Sequence, residues 1–356
     1  NTKRQTQGLN FVSMAIQKLT IEDFVAVANT GIVIDVRSPS EFEHAHIPNA
    51  FSLPLFNDEE RAIVGTTYKQ KSREQAIKIG LPFFGNKMLP MVESVEKWAS
   101  DFQKKNKTEH TTIYVHCWRG GMRSAAVAWL LDLYGFKVCQ IIGGYKAYRN
   151  WVLQQFEKPY KLTVIGGYTG SGKTEILKEL LKQKHTVIDL EGLASHKGSA
   201  FGAIGQDKQP SQEMFENKLA TALFAFADQT ILIEDESQRI GTVMLPTPFF
   251  KLLRSSEGYF IKIPFESRLD FIVQGYGGFK PEDLMAATYR IQKKLGGLET
   301  KLAINHIVEK DIKAAFHILL SYYDKLYEKE KKLIHIEATK VDPIENAKLI
   351  QSCINS

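Results

Sequence analysis

The 356-residue sequence has only three cysteines, at positions 117, 139 and 353. An odd number of widely spaced cysteines argues against a disulfide framework and for a reducing compartment, so a cytoplasmic protein is expected. No Cys/His cluster has zinc-site spacing. No run of 18 apolar residues occurs, so no membrane span is expected. The opening "NTKRQTQGLNFVSMAIQ" lacks an apolar core of signal-peptide length, and residues 1–13 read as a tail. Internal repeats, low-complexity tracts and a long Gly/Ser linker are also missing, which favours domains that pack together. What remains is 44% hydrophobic and 24% charged, the balance of a soluble globular protein. The length suggests two domains. A net charge of +6 permits a polyanionic partner without establishing one.

Strands and helices alternate along both halves. In the first half, "GIVIDV" (31–36), "AFSLPL" (50–55), "TTIYVHC" (111–117) and "KVCQIIGG" (137–144) read as strands. "SPSEFEHAHI" opens with a helix-start signal. "SAAVAWLLDLYG" is a helix that Gly135 ends, and 145–158 is a helix leading to Pro159. In the second half, strands are expected at 161–166, 185–190, 230–235, 257–265 and 332–338, with helices at 174–184 and around 211–227. In the latter, Phe215, Leu219, Leu223 and Phe226 fall on one face. The remainder reads as mostly helical. This alternation predicts an α/β protein with parallel sheets and ligands at the strands' carboxyl ends, divided near Pro159.

"TTIYVHCWRGGMRSAAVAWLL" places Cys117 between a strand and a helix. Gly120 and Gly121 would let the loop Trp118-Arg119-Gly120-Gly121-Met122-Arg123-Ser124 turn its N–H groups inward. Such a ring, with the helix N-terminus, cradles an anion and favours a thiolate. Arg119 and Arg123 would add fixed positive charge. The alternative is a buried structural cysteine that merely ends a strand; two arginines and two glycines within six residues favour chemistry. Cys139 lies in an apolar strand and Cys353 in a tail, and both read as structural.

"IDVRSPSEFEHAHIPNAFSLPL" (34–55), followed by a cysteine at a strand–loop–helix junction, resembles rhodanese-type sulfurtransferase domains over residues 15–150. The resemblance implies a persulfide or perselenide on Cys117, with Asp35 and Arg37 bracing the strand end. Common rhodaneses place four residues between cysteine and arginine; here there are five. The longer loop is similar to those of rhodanese-fold phosphatases and arsenate reductases. It points away from a simple thiosulfate-like donor towards a larger or phosphate-bearing one.

"GYTGSGKT" (167–174) fits a P-loop, with a strand before it and a helix after it. Gly167, Gly170, Ser171 and Gly172 would wrap a phosphate or diphosphate, Lys173 would reach the terminal phosphate and the Thr174 hydroxyl would hold Mg²⁺. Asp235 or Glu234, ending the strand "TILIED", would face the metal. "DLEGLASHKGSAFG" (189–202) gathers Glu191, His196 and Lys197; it leaves the strand next to the phosphate loop and should overhang the anion site, unless it is only a solvated loop. No adenine pocket is legible, and ATP at the loop stays open. "RAIVGTTYKQKSREQAIKIG" (61–80) carries Arg61, Lys69, Lys71, Arg73 and Lys78 against Glu74, a candidate for phosphate-backbone contacts. "DKLYEKEKKL" (324–333) is basic with interleaved acids and reads as a solvated face.

A cysteine-loop domain joined to a phosphate-loop domain, together with "DLEGLASHKGSAFG", "EDESQRIG" (234–241) and "SYYDKLY" (321–327), resembles the tRNA 2-selenouridine synthase family over nearly the whole chain. The resemblance implies a rhodanese-like parallel-sheet domain at 15–158. It also implies a P-loop NTPase-like parallel-sheet domain with a helical C-terminal part at 159–356. It further implies a transferase that replaces the sulfur of 2-thiouridine at the tRNA wobble position with selenium, using selenophosphate, and geranylates that sulfur with geranyl diphosphate. The partners implied are the anticodon arm of tRNA and a selenophosphate-producing enzyme. Two other classes fit the residues: a phosphatase-like enzyme fused to a kinase-like module, and a non-catalytic tRNA-binding protein.

Overall fold

The structure is a computed structural model that describes residues 16–327 and 333–354. The chain forms two compact units, the first running to Val152 and the second starting at Leu153. The helix Gly144–Gln155 crosses that division, so the boundary falls inside the helix expected to close the first domain.

The first unit is built on five parallel strands: β1 (Gln17–Leu19), β2 (Gly31–Asp35), β3 (Phe51–Ser52), β4 (Thr112–His116) and β5 (Lys137–Ile141), in the order β1-β5-β4-β2-β3. Every residue of β2 is buried, as expected of a parallel strand covered on both faces. Ile32, Ile34 and Val115 pack with Val127 and Leu131 of the helix Met122–Tyr134. That helix ends at Gly135, whose φ of 112° is left-handed. The strand expected at 50–55 is only two residues long. Three helices, Asp58–Gln70, Arg73–Gly85 and Met88–Asn106, fill the span between β3 and β4.

The second unit has β6 (Lys161–Gly167), β7 (Val187–Ile188), β8 (Thr230–Glu234), the antiparallel pair β9 (Arg239–Ile240) and β10 (Val243–Met244), then β11 (Gly258–Lys262) and β12 (Ile334–Glu337). Its parallel sheet runs β12-β11-β6-β8-β7. The segment 189–202 therefore does not leave the strand beside β6, as the sequence suggested: β8 lies between them. Phe215, Leu219 and Leu223 are fully buried on the helix Gln212–Ala225, while Phe226 caps it and is half-buried. The helices between residues 265 and 327 form their own core around Leu269, Leu284, Ala303 and Phe316. Cys353 lies in the helix Pro343–Ile354 rather than in a loose tail. Residues 1–13 and 328–332, the latter part of the second basic stretch, lie outside the described residues.

Candidate functional site: two anion cradles

Cys117 follows β4 directly and is 4% exposed. Its carbonyl accepts the N–H of Tyr145 at 2.9 Å, and the Trp118 carbonyl accepts that of Lys146 at 2.9 Å. The loop is thereby tied to the helix after β5. That tie needs glycine on both sides. Gly120 has φ +65°, and a Cβ there would stand 2.5 Å from the Ile141 carbonyl oxygen; a Cβ on Gly144 would collide with the Cys117 carbonyl oxygen. Cys117 Sγ lies 3.3 Å from the Ser124 hydroxyl, which donates to the Gly121 carbonyl at 3.0 Å. Gln140 Nε2, from β5, donates to Ser124 Oγ at 2.9 Å and to the Gly120 carbonyl at 3.0 Å. The buried face of the loop is therefore anchored by hydrogen bonds at Cys117, Ser124, Gly120 and Gly121.

The two loop arginines are placed differently. Arg119 is exposed. Arg123 sits in the first turn of the helix Met122–Tyr134 and donates to Glu41 Oε2 at 2.8 Å. Burial pushes the Glu41 carboxyl up, but Arg123, the Ser38 N–H and Arg61 outweigh that and hold it below its ordinary value. Part of the Arg123 charge is thus balanced internally. Behind the loop, Arg37 makes a buried bidentate pair with Asp35, donates to the Ala45 carbonyl at 2.7 Å and stacks 3.8 Å over the Tyr145 ring. His116 is fully buried and burial pushes its pKa down, with the Asp35 charge opposing and the Arg37 charge assisting. Cys139 is buried in β5, its thiol 3.7 Å from Gln17 Oε1.

Of the basic stretch, Arg61 and Arg73 reach this rim. Arg61 Nε is 3.6 Å from Glu41, and Arg73 Nε donates to Met122 Sδ at 3.4 Å. Lys69 and Lys71 are exposed at the end of the helix Asp58–Gln70.

The second cradle follows β6. Gly170 and Gly172 have φ of 80° and 71°, and Gly172 caps the helix Lys173–Lys182. A Cβ on Gly170 would stand 2.6 Å from Ile272, and one on Gly167 would stand 2.9 Å from Ile261 and Ser171. Ser171 Oγ donates to the Tyr168 carbonyl, and Lys173 Nζ to the Gly167 carbonyl at 3.1 Å. The Thr174 hydroxyl donates to Glu191 Oε2 at 2.7 Å, so the 189–202 segment meets the loop despite leaving an edge strand.

Glu191 also donates its backbone N–H to Glu234 Oε1 at 2.7 Å. Glu234 is fully buried and its Oε2 has no hydrogen-bond partner among the described residues. Burial, then the Asp189 and Glu191 charges, push its carboxyl well up. Glu236 is 9% exposed, and burial and the Glu191 charge push it up to about 8. A Cβ on Gly198 would stand 2.8 Å from Glu236 and 3.0 Å from Glu191, so the two carboxylates close on one point. Asp235, one residue along the strand, points elsewhere and pairs with Arg254 at 3.4 Å. His196 is buried at the base of the segment, where burial lowers its pKa, and Lys197 Nζ lies 5.7 Å over the Tyr276 ring.

Three residues of this site had escaped the sequence. Glu236 lies two residues beyond the end of β8, on the same side as the buried Glu234, a signal that two-residue alternation carried past the strand end would have given. Arg268 donates to the Thr169 carbonyl of the phosphate loop at 3.0 Å and forms a bidentate pair with Asp324 at 2.6–2.9 Å. Asp324 belongs to "SYYDKLY", so that motif braces the loop. In the first unit, Gln140 was legible only as a polar residue in an apolar strand.

No helix among the described residues is long and apolar enough to cross a membrane. The sequence matches the rhodanese-like domain over residues 20–150 and the tRNA 2-selenouridine synthase AAA domain over residues 160–288. It is 37% identical to the tRNA 2-selenouridine synthase of Nitrosomonas europaea, over 83% of this chain and 76% of that one. The Sulfurovum sp. synthase is 34% identical over 85% of this chain and 89% of its own. That of Hydrogenovibrio crunogenus is 36% identical over 78% and 79%. Carrying both domains in order and sharing most of its length with these relatives, the chain belongs to the tRNA 2-selenouridine synthase family.

Proposed function

We propose that this protein is a tRNA-modifying transferase that converts wobble 2-thiouridine to 2-selenouridine with selenophosphate, by way of S-geranylation from geranyl diphosphate. The observation that carries this reading is the presence of two separate anion cradles, one with a nucleophile and one without. In the geranyl step the 2-thio sulfur attacks C1 of the geranyl group, the C1–O bond breaks with its electrons on the diphosphate, and the N3 proton leaves the base. Diphosphate is the species the phosphate loop would hold in this reading. Lys173 and the backbone N–H groups of 170–174 would stabilise the charge that develops on it. Mg²⁺ fits the donor set, since the Thr174 hydroxyl and the Glu191 carboxylate are hard oxygens and Mg²⁺ commonly takes one or two carboxylates plus phosphate. Glu191 suits that place better than Asp235, which Arg254 occupies. When bound, the ion would neutralise diphosphate charge.

In the selenium step the selenium of selenophosphate adds to C2. The C2–S bond breaks with its electrons on the geranyl thiolate, which takes a proton and leaves as the thiol. Water attacks phosphorus to break the P–Se bond, releasing phosphate and leaving selenium on C2. Cys117 would act on selenophosphate held in the loop, activating it for this step without changing the oxidation state of sulfur or selenium. The assay is incubation with thiolated tRNA, geranyl diphosphate and selenophosphate, followed by nucleoside mass spectrometry. Cys117→Ala should abolish selenation and spare geranylation, and Lys173→Ala should chiefly damage geranylation. Loss of both activities in Cys117→Ala would sink the division of labour, and turnover of an aryl phosphate by the wild type would favour a phosphatase-like enzyme instead.

A further inference from the structure

Trp118 immediately follows the buried nucleophile, yet it is 39% exposed. Its ring is not loose. It lies 5.8 Å from Tyr145, which is fully buried and carries Arg37 3.8 Å over its ring. The indole thus lies at the surface against the buried Tyr145 ring, which Arg37 backs. The surroundings are cationic: Arg119 and Lys146 are exposed on the segments that the loop's backbone bonds join, and Arg61 and Arg73 reach the same rim. Large aromatic faces beside phosphate-reaching cations are the recurring means of holding an unpaired base, since stacking supplies affinity and the cations take the backbone.

Resting on the reading that RNA is the substrate, we propose that Trp118 is the platform on which the target nucleobase stacks beside Cys117. Arg61 and Arg73 take phosphates flanking it. An isoprenoid chain would also lie on an indole, but it would leave the ring of cations unexplained. Charge complementarity therefore selects the nucleotide.

The test uses the full chain and an anticodon stem-loop RNA carrying 2-thiouridine at the wobble position, with affinity measured across a salt series. Trp118→Ala should weaken binding about 5- to 150-fold, the range for loss of one stacked base, with the salt slope unchanged. Trp118→Phe should stay within about threefold of wild type. Arg73→Ala should lower the salt slope by about one. Iodoacetamide labelling of Cys117 should proceed alike in wild type and Trp118→Ala, showing the loop intact. Equal binding by wild type and Trp118→Ala overturns the proposal, as does a Phe variant as weak as the Ala variant. A higher KM for geranyl diphosphate with RNA affinity unchanged also overturns it, in favour of an isoprenoid. Wild-type protein that fails to bind the RNA at all refutes the proposed function itself.

Discussion

Glu236→Gln should remove a loss of stability that the wild-type second unit undergoes as pH rises from about 5 to about 9. The cause is the closeness of Glu236 and Glu191 at a point with little water. Burial and the Glu191 charge push Glu236 from its ordinary 4.5 up to about 8. Between those values the folded chain holds a proton that the unfolded chain has released. The stabilisation is complete below the unfolded value and is lost as pH climbs through the folded one. The full span corresponds to about 5 kcal/mol. Buried carboxyls in proteins are screened more strongly than a dry interior implies, so a change of about 2–3 kcal/mol is expected. All four tryptophans, at 98, 118, 129 and 151, lie in the first unit. Their fluorescence in urea follows that unit alone, while ellipticity follows both. The ellipticity transition of the second unit should fall with pH in wild type and fall less in Glu236→Gln, with the fluorescence transition the same in both. Glu234 is displaced in the same direction, so the comparison is of two slopes. Parallel slopes for wild type and variant would refute the raised Glu236 carboxyl.

Asp35→Asn strands the Arg37 guanidinium, which is 2% exposed, and should cost the first unit about 3–5 kcal/mol, the usual loss when one partner of a buried pair is removed; the fluorescence transition measures it. Gly144→Ala forces a Cβ against the Cys117 carbonyl at a φ of +56°. It should cut selenation at least tenfold, a barrier increase of about 1.4 kcal/mol, while sparing geranylation. Gly85→Ala, on the helix Arg73–Gly85 outside the loop, where a Cβ meets nothing within 4 Å, is the control and should leave both activities near wild type.

Both loop–helix junctions were legible in the sequence because glycine, a charged residue and a change from strand to helix pattern coincide there. The parallel sheets were legible for the same reason: β2, β4, β6 and β8 are short β-branched runs with little polar interruption. What escaped depends on tertiary register. β1 is three residues long and takes its place only by pairing Gln17–Leu19 with Cys139–Ile141. The strand order that puts β8 between β6 and β7 has no local signature. Asp235 and Glu234 could not be ranked until the pleat turned Asp235 towards Arg254. Asp324 and Arg268 lie 56 residues apart, and only packing of their helices joins them.

The cysteine loop shows how one such long-range contact changes a local reading. With five residues between Cys117 and Arg123, the helix begins at Met122 and the arginine falls within its first turn. From there it reaches Glu41, 82 residues away in the segment 34–55. The same Glu41 oxygen also accepts the Ser38 N–H at 3.2 Å in a capping box, so it is held from both sides. Glu41 therefore serves as a built-in counter-charge. A singly charged ligand gains little by competing with a fixed carboxylate for one guanidinium, whereas a phosphate-bearing ligand presents more charge and a matching pair of oxygens. The loop's extra residue and Glu41 therefore act together: the first places Arg123 on the helix's first turn, and the second pairs with it there.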